Sequence, residues 1–135
     1  MRIKGRATSK GIAEGEVLST DEAITFLGGV DPETGIVVER GHELEGKSVA
    51  GKVLVFPRGK GSTVGSYVIY GLKKNGKAPA AIINLEAEEI VATGAILANI
   101  PMLDSIEKKH FKLLKSGMNV LVNADEGYVE MEDSY

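Results

Sequence analysis

The chain has no cysteine, few aromatic residues and only two histidines, and each shortage narrows its chemistry. Without cysteine there is no disulfide, no thiol nucleophile and no thiolate ligand for a structural zinc or an iron–sulfur cluster. His42 and His110 lie far apart in the sequence, which argues against a histidine metal site. Aromatic residues are 5% of the 135 residues, so aromatic binding surface is scarce. Excess positive charge is missing as well. With a net charge of −3, a general nucleic-acid footprint is not expected. No apolar run is long enough to cross a membrane, and the first residues, MRIKGRATSKG, lack the apolar centre of a signal peptide. The expected location is the cytoplasm. What remains is ordinary for a soluble domain: 43% hydrophobic and 26% charged residues, enough for one folded unit over 1–135. Glycine, at 17 residues, implies many turns.

The chain is organised around KVLVFPRGKGSTVGSYVIYGLKK, from Lys52 to Lys74. Val53 to Phe56 form an apolar run that predicts a strand buried on both faces. Pro57 ends it by removing a ladder donor. Gly59, Gly61 and Gly65 then allow a tight turn with exposed N–H groups. From Val64 the apolar positions Val64, Tyr67, Val68 and Leu72 fall at helical spacing, and Lys73, Lys74 and Asn75-Gly76 suit the helix end. Such a helix start favours anions, and Arg58 and Lys60 add positive charge there. Neither common phosphate fingerprint fits. Lys60 is followed by Gly61 rather than serine or threonine, and Gly65 stands one position too late for the dinucleotide pattern. From the residues alone two readings stay open. Ser62 or Thr63 is a helix N-cap on a glycine-shaped bend, or the turn is an anion site.

Elsewhere the sequence predicts strands over Arg2–Thr8 and Gly11–Ser19, with a turn between them. Asp21–Thr25 reads as a helical turn or an edge segment. Ile36–Val38 reads as a short strand among loops, and His42 as a surface or capping residue. Ala80–Asn84 is a second buried strand. Glu86, Glu88 and Glu89 suit a helix first turn better than a metal site. A helix follows over Ile90–Ala98, with Ala92, Gly94 and Ala95 as its close-packing face. Ile100–Leu103 is a strand, and Ser105–Leu114 a polar turn or short helix. Met118–Asn123 and Tyr128–Met131 form a closing hairpin, with a frayed tail after it. The expected fold class is mixed α/β, with a β layer and covering helices.

The stretch PRGKGSTVGSYVIYGLKKNGKAPAAIIN, then EEIVATGAILANIP, with GHELEGKSVAGKVLVF upstream, resembles the small swivelling-domain chains of the aconitase X family of archaeal dehydratases. The resemblance covers almost the whole chain. It implies a swivelling β/β/α fold like the mobile fourth domain of aconitase. It implies a heterodimer with a large subunit that carries an iron–sulfur cluster, of the 4Fe-4S kind, with none bound by this chain alone. In that family the pair removes water from (R)-5-phosphomevalonate to give trans-anhydromevalonate 5-phosphate, on an archaeal mevalonate route to isoprenoids.

The family's proton acceptor is the serine of the GKGS stretch, which falls on Ser62. Dehydrating a 3-hydroxy acid needs a base for the proton beside the carboxylate and a Lewis acid for the departing hydroxyl, which the partner's cluster would supply. Arg58 would bind a substrate carboxylate or phosphate, and Lys60, Gly61, Thr63 and Ser66 would contact substrate. Two alternatives remain: a related dehydratase acting on another hydroxy acid, such as a hydroxyproline, and a non-enzymatic anion-binding or carrier module. Neither His42 nor His110 sits in the turn that a phosphohistidine carrier uses.

Overall fold

Glycine spacing divides the N-terminal segment into β1 (Arg2–Lys4), β2 (Arg6–Ser9) and β3 (Ile12–Ser19) in the computed structural model, which describes residues 1–131. The tail expected to fray, 132–135, lies outside the described residues. There follow β4 (Ile24–Thr25), β5 (Val53–Phe56), β6 (Gly59–Lys60), α1 (Gly65–Lys74), β7 (Ala81–Asn84) and α2 (Glu89–Ala98). Then come β8 (Met102–Asp104), α3 (Lys108–Phe111), β9 (Asn119–Asn123) and β10 (Tyr128–Met131). The main sheet has eight strands in the order β1-β10-β9-β3-β5-β7-β8-β2, and β4 pairs with β6 separately.

The expected single strand over Arg2–Thr8 is two strands at opposite ends of that order. β1 pairs with β10 and β2 with β8, both antiparallel. Gly5 makes the break possible: a Cβ there would lie 2.5 Å from Ile106 Cδ1 and 3.0 Å from Asp104 O. β3 joins the two halves of the sheet. Ile12–Glu16 pair antiparallel with β9, and Val17–Ser19 pair parallel with β5.

The runs VLVF and AIIN are buried throughout, as fully covered parallel strands require. Alternate residues serve different cores. Leu54, Phe56 and Ile82 face Ile69 and Leu72 of α1 and Val91, Ala95 and Ala98 of α2. Val53, Val55, Ala81 and Ile83 face Ile3, Val120, Val122 and Val129 of the β1/β9/β10 layer. The result is a β/β/α stack with the parallel strands in the middle. Each fully buried Leu or Ile contributes about 1.5–3 kcal/mol. Gly94 lets the helices touch, since a Cβ there would lie 2.7 Å from Ile69 Cδ1 and 3.1 Å from Ser66 O. Of the expected close-packing face, Gly94 and Ala95 are buried and Ala92 is half-buried.

Two further expectations need correction in the loops between β4 and β5. Ile36–Val38 contributes only isolated bridges, Val30 to Val37 and Ile36 to Ser48. His42 is a capping residue, but a buried one, 6% exposed. Its Nδ1 accepts the Leu44 N–H at 3.0 Å, and Nε2 donates to Ala23 O at 3.1 Å. Among the described residues no helix is long and apolar enough to cross a membrane.

Candidate functional site

The strands β5 and β7 run parallel in register, Phe56 opposite Asn84, and each feeds a helix. Their carboxyl ends therefore bring the starts of α1 and α2 together, the usual place for a ligand in an open parallel sheet. Pro57 O ties the two exits by accepting the Leu85 and Glu86 N–H groups, both at 3.0 Å. Asn84 adds a side-chain tie, Nδ2 to Phe56 O at 3.1 Å. Its Oδ1 is buried without a partner among the described residues.

Beyond Pro57 the chain forms β6 against β4, in the register Ile24 to Gly59 and Thr25 to Lys60. The glycines are positions where side chains do not fit. A Cβ at Gly59 would lie 2.5 Å from both Glu88 Oε1 and Val91 Cγ2. Gly61 has φ +92°, and a Cβ there would meet Thr25 Cγ2 at 2.9 Å. Gly65 fits closely beside Ile90 Cγ2, at 3.1 Å from the position of a Cβ.

Ser62 stands exposed at the bend, and its Oγ accepts the Val64 N–H at 3.1 Å. Its carbonyl accepts the Gly65 N–H at 2.9 Å. The N-cap of α1 is Val64, which has no side-chain cap bond, so Ser62 and Thr63 shape the turn ahead of the helix. Thr63 is exposed, and its carbonyl accepts both the Ser66 N–H at 3.2 Å and the Ser66 hydroxyl at 2.9 Å. Ser66 is itself buried, its hydroxyl spent inside the turn. The Ser62 and Thr63 N–H groups meet no acceptor among the described residues.

The guanidinium of Arg58 is half exposed, with Nε 3.6 Å from Glu86 Oε2 and Nη1 donating to Gly59 O at 3.3 Å. Lys60 is exposed and makes no ion pair among the described residues. Glu88 is the N-cap of α2, accepting from Ile90 N at 2.7 Å and Val91 N at 3.1 Å, and Glu89 opens its first turn. The acidic cluster thus divides into a cap, a first-turn residue and a partner for Arg58. The structure brings Arg58, Lys60, Gly61, Ser62 and Thr63 to one exposed turn, with Ser66 beneath it. Sequence reading missed Thr25, Glu86 and Asn84 as its neighbours. Only Asn84 left a signal, a polar residue closing an apolar strand.

Among the described residues no histidine, cysteine and carboxylate group of three or more could hold a metal ion. The donor set fits neither an iron–sulfur cluster nor a metal centre. Two concave regions lie elsewhere. One, of about 520 Å³, is lined by Glu14, Gly15, Asn119 and Glu130, and the other, of about 250 Å³, by Thr20, Asp21, Phe111 and Lys115.

Residues 2–131 match the family described as the aconitase X swivel domain. A Methanosarcina mazei protein named phosphomevalonate dehydratase small subunit is 63% identical over 97% of this chain and 91% of its own length. A Thermococcus onnurineus protein of the same name is 62% identical over 98% of this chain and 100% of its own. A chain in the crystal structure of Thermococcus kodakaraensis aconitase X, holo-form, superposes with a TM-score of 0.94 at 59% identity, covering 98% of this chain and 99% of that one.

Proposed function

The chain belongs to the aconitase X swivel domain family, and we propose that it is the small subunit of a phosphomevalonate dehydratase in which Ser62 accepts the substrate proton. The observation that carries this reading is the Ser62 turn itself. An exposed hydroxyl, bonded by the Val64 N–H, shares one glycine-shaped bend with Arg58 and Lys60. That bend lies in a chain 63% identical to a named small subunit.

The reaction removes a proton from the carbon beside the carboxylate of (R)-5-phosphomevalonate and a hydroxyl from the next carbon. The products are trans-anhydromevalonate 5-phosphate and water. Serine is a weak base unless its alkoxide is stabilised. Among the described residues no histidine or carboxylate hydrogen-bonds Ser62 Oγ, so stabilisation falls to the Val64 N–H and to the charges of Arg58 and Lys60. Arg58 holds a substrate carboxylate or phosphate, exchanging its long contact with Glu86 for a substrate anion. Lys60 adds charge, and the free N–H groups of Ser62 and Thr63 receive anionic oxygen. Gly61 lets substrate approach the backbone. Ser66 reaches the substrate only through the shape of the turn.

The sequence has no cysteine, and among the described residues no group of three or more histidines and carboxylates could hold a metal ion; following the family resemblance, we place the cluster on the large subunit. The chain then works as one swivelling unit in a cytoplasmic heterodimer. Closing it over the partner excludes water and completes the site only when substrate is bound. The test is anaerobic dehydration of (R)-5-phosphomevalonate by the two chains together. Wild type should turn over, and Ser62→Ala should assemble but lose about 10²–10⁴-fold in rate. An active Ser62→Ala complex would leave the serine as a turn residue. An intact complex inactive on this substrate but active on a hydroxyproline would reassign the substrate.

A further inference from the structure

The exposed face of α1 continues directly from the Ser62 turn, and it is apolar where a lone subunit should be polar. Val64, Tyr67 and Tyr70 are all exposed along it, Tyr67 by 66%, the largest exposure of any large apolar side chain described. They lie opposite the buried stripe of Gly65, Ser66, Ile69 and Leu72, so they share one helix face. Leu27, also exposed, borders the helix start, its N–H 3.6 Å from where a Gly65 Cβ would stand. Lys74 sits over the Tyr70 ring at 5.7 Å. Basic residues bracket this face, Arg58 and Lys60 before α1 and Lys73 and Lys74 in its last turn, while Glu86 lies 3.6 Å from Arg58 and the Asp31-Pro32-Glu33 turn reaches the helix at Gly71. No acidic residue occurs between Glu45 and Glu86, while Arg58, Lys60, Lys73, Lys74 and Lys77 all do, in a chain whose net charge is −3.

We infer that this α1 face is the docking surface for the large subunit, which meets it with an apolar pocket rimmed by acidic residues. The inference rests on the reading of Ser62 as a group that acts inside a shared site. Ser62 stands one turn ahead of the helix, its carbonyl accepting the Gly65 N–H at 2.9 Å, and the Tyr67 N–H donates to Val64 O at 2.9 Å in the next turn. A partner that covers Ser62 therefore also covers Val64 and Tyr67. Tyrosine is enriched at the energetic centre of interfaces, where its ring is buried and its hydroxyl finds a partner. The basic residues at the two ends of the helix favour an acidic partner.

The test measures the dissociation constant of the purified small and large subunits at low and high salt. Tyr67→Ser with Tyr70→Ser should weaken binding by at least about tenfold, and Tyr67→Phe should restore most of it. Leu113→Ser, which removes a comparable exposed side chain beside α3, should bind as wild type does. All three should keep the thermal midpoint of wild type. The Tyr67→Ser, Tyr70→Ser complex should regain turnover when the large subunit is raised to saturation. Ser62→Ala should bind normally and stay inactive, so loss of docking and loss of the base are read separately. Wild-type affinity in the double tyrosine variant would overturn the inference whatever happens to Ser62. A homodimer of the free chain that Tyr67→Ser dissolves would assign the face to a second copy and overturn it as well.

Discussion

At the residue scale the turn depends on positions where only hydrogen fits. Gly61 combines a φ of +92° with a contact that would put a Cβ 2.9 Å from Thr25 Cγ2. Gly61→Ala should lower the unfolding free energy by about 1–2 kcal/mol, read from urea titration, and reduce turnover by a larger factor than that loss explains. Equal, small losses in both would mean the turn tolerates a side chain. The turn was legible in the sequence because glycine, serine and lysine there signal their own local chemistry. Its surroundings were not. Glu86 meets Arg58 only because β5 and β7 are neighbours, and Thr25 meets Gly61 only because β4 pairs with β6. The resemblance gave Ser66 as a substrate contact, and helical phase turns its side chain into the buried face of α1.

At the element scale, the packing of α1 on α2 sets where the turn sits. Gly94→Ala must displace Ile69 or part the helices, and should cost about 1–3 kcal/mol by thermal unfolding. Wild-type stability would mean that Ile69 moves aside freely. A second clip joins β2 to β8. Arg6 Nε and Nη2 each donate to Asp104 at 2.9 Å, Thr8 Oγ1 donates at 2.6 Å and Ser105 Oγ at 2.9 Å. Burial alone would push the Asp104 carboxyl up, but these bonds and the Arg6 charge outweigh it and hold the group below its ordinary value. A carboxyl depressed in the folded state adds stability above its unfolded value, about pH 4, and that stability is lost as pH falls through the lower folded value. Arg6→Ala removes part of the opposition to burial, so the acid-unfolding midpoint followed by circular dichroism should move to higher pH. An unmoved midpoint would show that Thr8 and Ser105 suffice.

The long apolar runs made β5 and β7 readable, since VLVF and AIIN lie buried on both faces. The division of β1 from β2 was unreadable because its cause, the approach of Gly5 to Asp104 and Ile106, lies about 100 residues away. His42 likewise depends on Ala23 and on the loop that folds over it.

At the scale of the whole molecule, the Ser62 turn lines neither of the two concave regions found among the described residues. Those regions are lined by Glu14 and Glu130 and by Thr20 and Lys115. A site built this way depends on a second surface. The isolated chain should therefore show no dehydratase activity at any concentration, while the reconstituted pair should; activity of the chain alone would contradict the division of labour. The most direct measurement follows the hydrogen on the carbon beside the carboxylate of (R)-5-phosphomevalonate, by NMR, in complexes built with wild type and with Ser62→Ala. Wild type should remove that hydrogen at the turnover rate, and the assembled Ser62→Ala complex should leave it in place. Its removal at the wild-type rate without the serine would contradict the assignment of Ser62 as the proton acceptor.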